Sequence, residues 1–189
     1  MDRKAILIPG NGGAKPTDNW FPYLEQELTK LGISVINREF PDPMLARAEF
    51  WLPFIKELGG DENAILIGHS SGAIAAMRYA ESNKIFGSVL VGAYQTDLGI
   101  ASERISGYFN TPWNWSAIKN NQQWIIQFAS TDDPLIPIQE ARSVHENLAS
   151  EYHEFNDQKH FGYGDEPKPE FLELLNAIKN KLFIKFNAR

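Results

Sequence analysis

The stretch of residues 64–77 constrains the fold more than any other part of the sequence. Four apolar residues lead into the pentapeptide G-H-S-S-G at 68–72, and a run of small helix-forming residues follows it. This pattern predicts a buried strand, a reversal of the chain, and a helix over Ala73–Ala80. The two glycines of the pentapeptide lack a Cβ, so strand and helix can approach closely. A G-x-S-x-G sequence between a strand and a helix is typical of a nucleophile elbow, with Ser70 at its apex.

Strand-like and helix-like segments alternate along the rest of the chain. Short apolar runs predict strands over Lys4–Ile8, Ile33–Ile36, Ala64–Ile67, Lys84–Val91, Trp124–Ala129 and Ser150–Phe155. Helical patterns predict helices over Trp20–Leu31, Arg47–Leu58, Ala73–Ala80, Ile138–Leu148 and Pro169–Phe183. The alternation predicts a three-layer α/β fold, in which helices cover both faces of a mostly parallel six-stranded sheet. The expected strand order, 2-1-3-4-5-6, makes the first and third strands neighbours.

Two of the helices carry more detailed predictions. Asp18 is placed to cap the first helix through its side chain. In the second helix, Phe50, Phe54 and Leu58 recur at i, i+4 and i+8, which predicts that they form its buried face. The final helix has one apolar stripe, made of Phe171, Leu174, Leu175, Ile178 and Leu182.

Composition restricts the possible classes of function. The chain of 189 residues is long enough for one domain with a sizeable core, which we expect to span residues 1–189. A net charge of −6 without a long basic run argues against nucleic acid or an anionic membrane as partner. No apolar stretch approaches the roughly 18 residues of a membrane-spanning helix. Cysteine is absent, which excludes disulfides and thiolate chemistry and is compatible with a cytoplasmic location.

A glycine-rich loop at residues 9–13 follows the first predicted strand. A dinucleotide fingerprint would need its third glycine where Lys15 stands, and no G-K-[ST] of a P-loop occurs, so nucleotide binding is disfavoured. Beside a nucleophile elbow, the same loop is suited to supply backbone N–H groups to a substrate carbonyl. We therefore expect an oxyanion loop here, with a plain turn as the alternative.

A serine hydroxyl needs an adjacent base to act as a nucleophile, and four histidines are available. His69 is the variable residue of the elbow and is expected to point away from Ser70. His145 falls within a helix and His153 within a strand. His160 follows the last strand in a polar loop, from which it can reach the serine. The chain order Ser, Asp, His favours His160 as the base.

The acid that orients the imidazole is expected after the fifth strand, where Asp132 and Asp133 are both candidates. Because both aspartates directly follow the strand, their position does not distinguish between them. Asp133 precedes Pro134, and a residue before proline is held in an extended conformation. The direction of its side chain is therefore the more restricted of the two, which favours Asp133.

The region of residues 92–121 lacks clear strand or long-helix periodicity. It contains five aromatic residues, namely Tyr94, Tyr108, Phe109, Trp113 and Trp115. Irregular segments of this length tend to be functional lids in compact domains. We expect a lid or pocket wall, with Gly12, Tyr108 and Trp113 lining the pocket. The alternative is a packed crossover that covers the edge of the sheet.

The sequence resembles the small serine hydrolases of the retinoblastoma-binding-protein-9 type, within the α/β-hydrolase superfamily. The resemblance extends over nearly the whole chain. The matching stretches are 8–13, 41–43, 46–47, 51–53, 68–80, 106–109, 112–113, 115, 130–134 and 160–161. Together they are far more specific than the elbow alone.

The resemblance implies a catalytic triad of Ser70, Asp133 and His160, and Asp133 also begins the Asp-x-x-x-Pro spacing that such proteins have at the acid. It implies cleavage of a small-molecule or peptide-like ester or amide through an acyl-enzyme, without a cofactor or a metal. The backbone N–H groups of Asn11 and Ser71 are then the expected oxyanion donors. A low-turnover protein-interaction module on the same fold is the alternative.

Two positions depart from the pattern of the group. A retinoblastoma-pocket motif of the form L-x-C-x-E is expected in such proteins, but the matching segment here, residues 58–62, reads L-G-G-D-E and has no cysteine. Binding to the retinoblastoma pocket is therefore not expected. The residue before the histidine is usually glycine, whereas here it is Lys159, so the pH optimum is less predictable than the triad.

Overall fold

The six strands form one parallel sheet in a computed structural model that describes residues 3–162 and 167–183. The strands are β1 (Lys4–Ile8), β2 (Ser34–Asn37), β3 (Ala64–His69), β4 (Gly87–Val91), β5 (Ile125–Ser130) and β6 (Glu151–Phe155). Their order is β2-β1-β3-β4-β5-β6, and all five pairings are parallel. The predicted fold class and strand order are confirmed.

The helices connect these strands in alternation. They are α1 (Phe21–Lys30), α2 (Ala48–Glu57), α3 (Ser71–Ala80), α4 (Ala101–Ile105), α5 (Trp115–Asn120), α6 (Ile138–Leu148) and α7 (Leu172–Phe183). The bounds of α6 agree with the prediction, whereas α7 begins three residues later than Pro169, the predicted start. No described helix is both long and apolar enough to cross a membrane.

The sheet separates two hydrophobic clusters because successive side chains of a strand point to opposite faces. In β1, Ala5 and Leu7 belong to the cluster shared with α1 and α7, while Ile6 and Ile8 belong to the cluster shared with α2, α3 and α6. The central strands are buried on both faces, as in parallel sheets covered by helices. The stripe predicted for the last helix also lies in the core, with Leu182 only partly buried.

One local prediction about the helices is wrong, and another holds only in part. The side chain of Asp18 does not cap α1, because its Oδ2 accepts the N–H of Lys15, 2.8 Å away, within the preceding turn. In α2, Trp51 and Ile55 are fully buried, Phe54 and Leu58 are partly buried against the same cluster, and Phe50 is exposed. The indole of Trp51 donates to the Pro41 carbonyl at 2.6 Å, and the Phe40 ring packs against both Trp51 and Phe54.

The register of the sheet brings the loops of the expected site together. Ile8 at the end of β1 pairs with Gly68, and Val91 at the end of β4 pairs with His69. The carboxyl ends of β1, β3 and β4 therefore lie at one edge, where open α/β sheets bind their ligands. The glycine-rich loop follows the first of these strands directly, and the elbow follows the second.

Candidate active site

Ser70 lies in the strained turn between β3 and α3. Its backbone has φ 55° and ψ −122°, a conformation that costs a non-glycine residue energy and that recurs at active sites. A hydrogen bond of 2.8 Å from its N–H to the Val91 carbonyl holds the turn to β4. A Cβ on Gly68 would collide with the Gly72 carbonyl, and a Cβ on Gly72 would collide with the carbonyls of Ile8 and Pro9. The close approach expected at the elbow therefore requires both glycines.

His160 and Asp133 form a buried pair at the same edge of the sheet. Asp133 Oδ2 lies 2.8 Å from His160 Nδ1, and both side chains are nearly inaccessible to solvent. The other carboxylate oxygen of Asp133 accepts the N–H groups of Leu135 and Ile136, at 2.8 and 3.0 Å. The carboxylate is thereby fixed from both sides, with Oδ2 directed at the imidazole.

Asp132 points elsewhere, although it was an equal candidate by position. Its Oδ1 accepts the hydroxyl of Ser130 at 2.5 Å and the N–H of Lys159 at 2.9 Å. The hydrogen bond from Ser130 lowers the pKa of this carboxyl. Asp132 thus fastens the loop that carries the histidine, while its neighbour contacts the imidazole itself.

Two residues that sequence reasoning assigned no role in the site pack against His160. His69 Nε2 lies 2.8 Å from the carbonyl oxygen of His160, and the two rings are 4.8 Å apart. Because a carbonyl only accepts, the proton of His69 must lie on Nε2. Burial, and next the charge of His160, lower the pKa of His69 to about 3. A Cβ on Gly92 would lie 3.1 Å from His160 Cε1, so this glycine leaves room for the imidazole.

Lys159 has a left-handed backbone, with φ 47°. Glycine adopts this conformation at no steric cost, which gives a physical reason for the glycine expected at this position in similar loops. Here the N–H of Lys159 donates to Asp132, and this bond helps to hold the turn in place.

The loop of residues 9–13 is fixed by its neighbours. The N–H groups of Gly12 and Gly13 donate to the carbonyls of Met44 and Pro43, at 3.2 and 3.0 Å. The side-chain amide of Asn11 donates to Glu103 Oε1 at 2.7 Å. The loop is therefore held on one side by the segment before α2 and on the other by α4.

A cavity of about 720 Å³ opens beside Ser70, a size that suits a small organic ligand. It is lined mainly by the segment of residues 10–21, together with His69, Ser70, Leu135, His160, Gly162 and Pro167. Gly12 lies in its wall, as expected. Most of the lining residues are glycines or small polar residues, and Leu135 contributes an exposed apolar group.

Neither Tyr108 nor Trp113 is among the described residues that line this cavity, contrary to our expectation. Tyr108 is buried, and its hydroxyl has no hydrogen-bond partner among the described residues. Trp113 stacks on Trp115, donates its indole N–H to the Gln95 carbonyl at 2.8 Å, and covers the Arg78 guanidinium. The Trp113 ring thus packs against α3, and Tyr108 belongs to the core cluster on the same side of the sheet.

The site has no set of metal ligands within residues 3–162 and 167–183. No group of three His, Asp or Glu side chains in that part of the chain is arranged to hold a metal ion. The residues that face the cavity are instead a hydroxyl, an imidazole and a glycine-rich loop. Such groups are suited to acyl transfer at a serine.

Known proteins resemble the chain in sequence and in structure. The family described as Serine hydrolase matches residues 5–175. The chain is 45% identical over 182 residues to Serine hydrolase RBBP9 of Rattus norvegicus, covering 95% of each protein. The ydeN gene product of B. subtilis has a similar structure, with a TM-score of 0.83, 21% identity, and coverage of 95% of this chain and 98% of that one. Est1E of Butyrivibrio proteoclasticus has a TM-score of 0.73 at 10% identity, with 97% and 89% covered.

The structural neighbours have the α/β-hydrolase fold that the strand order predicts. Because the sequence identity of these neighbours is low, they are evidence for the fold alone. The family match and the similarity to the rat relative, in contrast, extend over nearly the whole chain. The strained serine, the glycine-rich loop and the buried histidine at one sheet edge thus occur in a chain that belongs to the serine hydrolase family and has the α/β-hydrolase fold.

Proposed function

We propose that this serine hydrolase cleaves a small ester or amide through an acyl-enzyme on Ser70. The observation that carries the proposal is the buried pair of Asp133 and His160, 2.8 Å apart, beside the cavity into which Ser70 opens. With Nδ1–H directed to the carboxylate, Nε2 is the ring nitrogen that carries the lone pair, and in the proposed reaction it takes the proton of the serine. That tautomer is the one a Ser-His-Asp triad needs.

The proposed reaction has two halves. His160 Nε2 takes the hydroxyl proton as Ser70 Oγ attacks the carbonyl carbon, and it returns that proton to the leaving alcohol or amine. A water molecule then gives a proton to the same nitrogen and attacks the acyl carbon, and the serine regains its proton as the acid departs. The carboxylate of Asp133 orients the imidazole and stabilises the imidazolium.

The backbone N–H groups of Asn11 and Ser71 are the proposed donors to the oxyanion. Ser71 is the first residue of α3, where N–H groups have no partner within the helix and the helix dipole favours negative charge. In the loop, the N–H groups of Gly12 and Gly13 are already donated to backbone carbonyls. That leaves them unsuited to the role and supports Asn11, whose residue also lines the cavity.

Covalent labelling tests this proposal. A fluorophosphonate probe is expected to modify Ser70 in the wild-type protein, and Ser70→Ala should lose both the label and about 10⁴- to 10⁶-fold of kcat on an aryl ester. Ser71→Ala is the matched control for labelling alone: it removes the adjacent hydroxyl, keeps the backbone N–H, and should keep the label on Ser70. Labelling at Ser71 or Ser130 with Ser70 unmodified would overturn the assignment. A panel of esters and aminoacyl amides then determines the preferred substrate.

A further inference from the structure

A buried carboxylate connects the two residues that supply the proposed oxyanion donors. Glu103 of α4 is 6% exposed. Its Oε1 accepts the side-chain amide of Asn11 at 2.7 Å, and its Oε2 accepts the Tyr94 hydroxyl at 2.6 Å. The Tyr94 oxygen lies in turn 3.3 Å from Ser71 Oγ. Asn11 and Ser71, which are 60 residues apart in sequence, are thereby joined through the side chains of Glu103 and Tyr94.

The donors in this chain can be assigned. Tyr94 has a single hydroxyl proton, and the carboxylate of Glu103 can only accept, so the proton of Tyr94 lies toward Glu103. Ser71 Oγ must then donate to Tyr94. Burial, and next the charge of Glu103, raise the pKa of Tyr94 well above its usual range, which keeps the phenol protonated. Glu103 therefore accepts one hydrogen bond from Asn11 and one from Tyr94, at 2.7 and 2.6 Å.

We propose that Glu103 is a positioning residue for the oxyanion hole. By holding the side chains of Asn11 and, through Tyr94, Ser71, it fixes the separation and direction of their two backbone N–H groups. Glu103 is not among the described residues that line the cavity, so it acts through these neighbours and not on the substrate. The inference rests on the oxyanion donors of the proposed function.

The surroundings of Glu103 support this role. The Ser106 hydroxyl donates to the Glu103 carbonyl at 2.6 Å, and the Ala48 N–H donates to the Ser106 carbonyl at 2.8 Å. These bonds fasten the short helix α4 to the start of α2. The region of residues 92–121 thus contributes a fixed support behind the glycine-rich loop, in addition to any role as a lid.

Steady-state kinetics of two variants test the proposal. Glu103→Leu removes both acceptors, and kcat on an aryl ester is expected to fall about 10- to 100-fold while KM stays within about threefold, since oxyanion donors act mainly in the transition state. The serine hydroxyl adds to the carbonyl of a trifluoromethyl ketone inhibitor and forms an oxyanion. The affinity of Glu103→Leu for such an inhibitor should therefore fall by a similar factor. Glu103→Gln should recover most of the loss, because its carbonyl still accepts from Asn11 and the Tyr94 hydroxyl can reverse to accept its amide.

Glu140→Leu is the matched control. Glu140 also holds the irregular segment, since its Oε2 accepts the N–H groups of Gln95 and Thr96 at 2.8 and 3.1 Å, but it has no bond to Asn11 or Tyr94 among the contacts of the described residues. Its kcat should stay within about threefold of the wild-type value. An equal loss of kcat in Glu140→Leu would show that any loosening of the segment suffices, and it would overturn the proposal.

Two further variants decide the question if Glu103→Leu does not fold. Tyr94→Phe removes only the hydroxyl, and Asn11→Ala keeps the backbone N–H, so each breaks one half of the connection. Each should lower kcat about tenfold or more at unchanged KM, and unchanged kcat in both would refute the inference. Ser70→Ala distinguishes a failure of the proposed function from a failure of the positioning role. If it stays active, the proposed function fails; if it is inactive while Glu103→Leu keeps wild-type kcat, only the positioning role fails.

Discussion

Replacing His69 by glutamine should make the protein more resistant to acid relative to the wild type. Burial lowers the pKa of His69 from an ordinary value of 6.5 to about 3. As the pH falls through 6.5, the unfolded chain binds a proton at this position and the folded chain does not. Stability is therefore lost as the pH falls from 6.5 toward 3 and is unaffected by this group at higher pH.

The expected magnitude follows from the same pKa. One proton bound only by the unfolded state lowers the free energy of unfolding by about 1.4 kcal/mol per pH unit. Over the whole interval between the two pKa values of His69, from 6.5 to about 3, the loss is about 5 kcal/mol. Glutamine does not titrate, and its amide can still donate to the His160 carbonyl. Between pH 7.5 and pH 4.5, His69→Gln should gain about 2 to 3 kcal/mol relative to the wild type, whatever its difference at pH 7.5.

Urea denaturation followed by tryptophan fluorescence measures this difference, because the chain has five tryptophans. Unfolding curves of both proteins are collected at pH 7.5, 6.5, 5.5 and 4.5. His145→Gln, the same substitution on helix α6, controls for the loss of an imidazole elsewhere in the fold. A stability difference between His69→Gln and the wild type that stays constant over this range would refute the reasoning, since it would mean that His69 binds its proton equally well in both states.

Two pairs of substitutions test the geometry of the site, and a fifth substitution tests a buried cation. Asp133→Asn should lose about 10⁴-fold of kcat on an aryl ester, and Asp132→Asn less than about tenfold; the reverse order would exchange their roles. Gly92→Ala should lower kcat about tenfold or more, because the added Cβ meets the imidazole of His160. Gly99→Ala is the control: it has a similar positive φ, but its added Cβ has nothing within 4 Å, so kcat should not fall. Equal losses of kcat in the two variants would point to backbone strain instead. Arg78→Met should destabilise the protein by about 2 to 4 kcal/mol in urea denaturation, because its guanidinium donates to the carbonyls of Tyr108 and Thr111, and a smaller loss would mean that those carbonyls find other partners.

The parts of the fold that could be predicted are those set by local patterns. Short apolar runs, separated by helical patterns, predicted the six strands. The small residues after Ser70 predicted the close-packed helix α3. The preference for Asp133 over Asp132 came from the adjacent proline, and the carboxylate that contacts the imidazole is indeed that of Asp133. Each of these inferences depends on residues a few positions apart.

The prediction for α2 failed at Phe50 because it depended on a choice between equivalent local patterns. Helix α2 has apolar residues at two spacings, one that includes Phe50 and Phe54 and one that includes Trp51 and Ile55. Periodicity alone gives no reason to prefer either face. The Pro41 carbonyl favours burial of Trp51, and it meets the indole only once the chain has folded, whereas the Phe40 ring contacts both Trp51 and Phe54.

The supporting residues of the site could not be predicted because their partners are distant in sequence. Asn11 and Glu103 are 92 positions apart, and His69 and His160 are 91 apart. A buried glutamate in a short helix has no periodic signature. Gly92 did carry a signal, since it directly follows a strand at the edge where the ligand is expected, but its purpose depends on the position of the imidazole.

The two buried carboxylates at this edge should differ in their tolerance of an amide, and the reason lies in their partners. Asp133 accepts two backbone N–H groups on one oxygen and the imidazole on the other, so an asparagine must turn its NH₂ toward a donor on one side. If the NH₂ faces His160, the imidazole has to move its proton to Nε2 and can no longer accept the proton of the serine. Glu103 accepts from Tyr94, whose hydroxyl can reverse and become the acceptor. The same neutral substitution is therefore expected to abolish catalysis at one carboxylate and to spare it at the other.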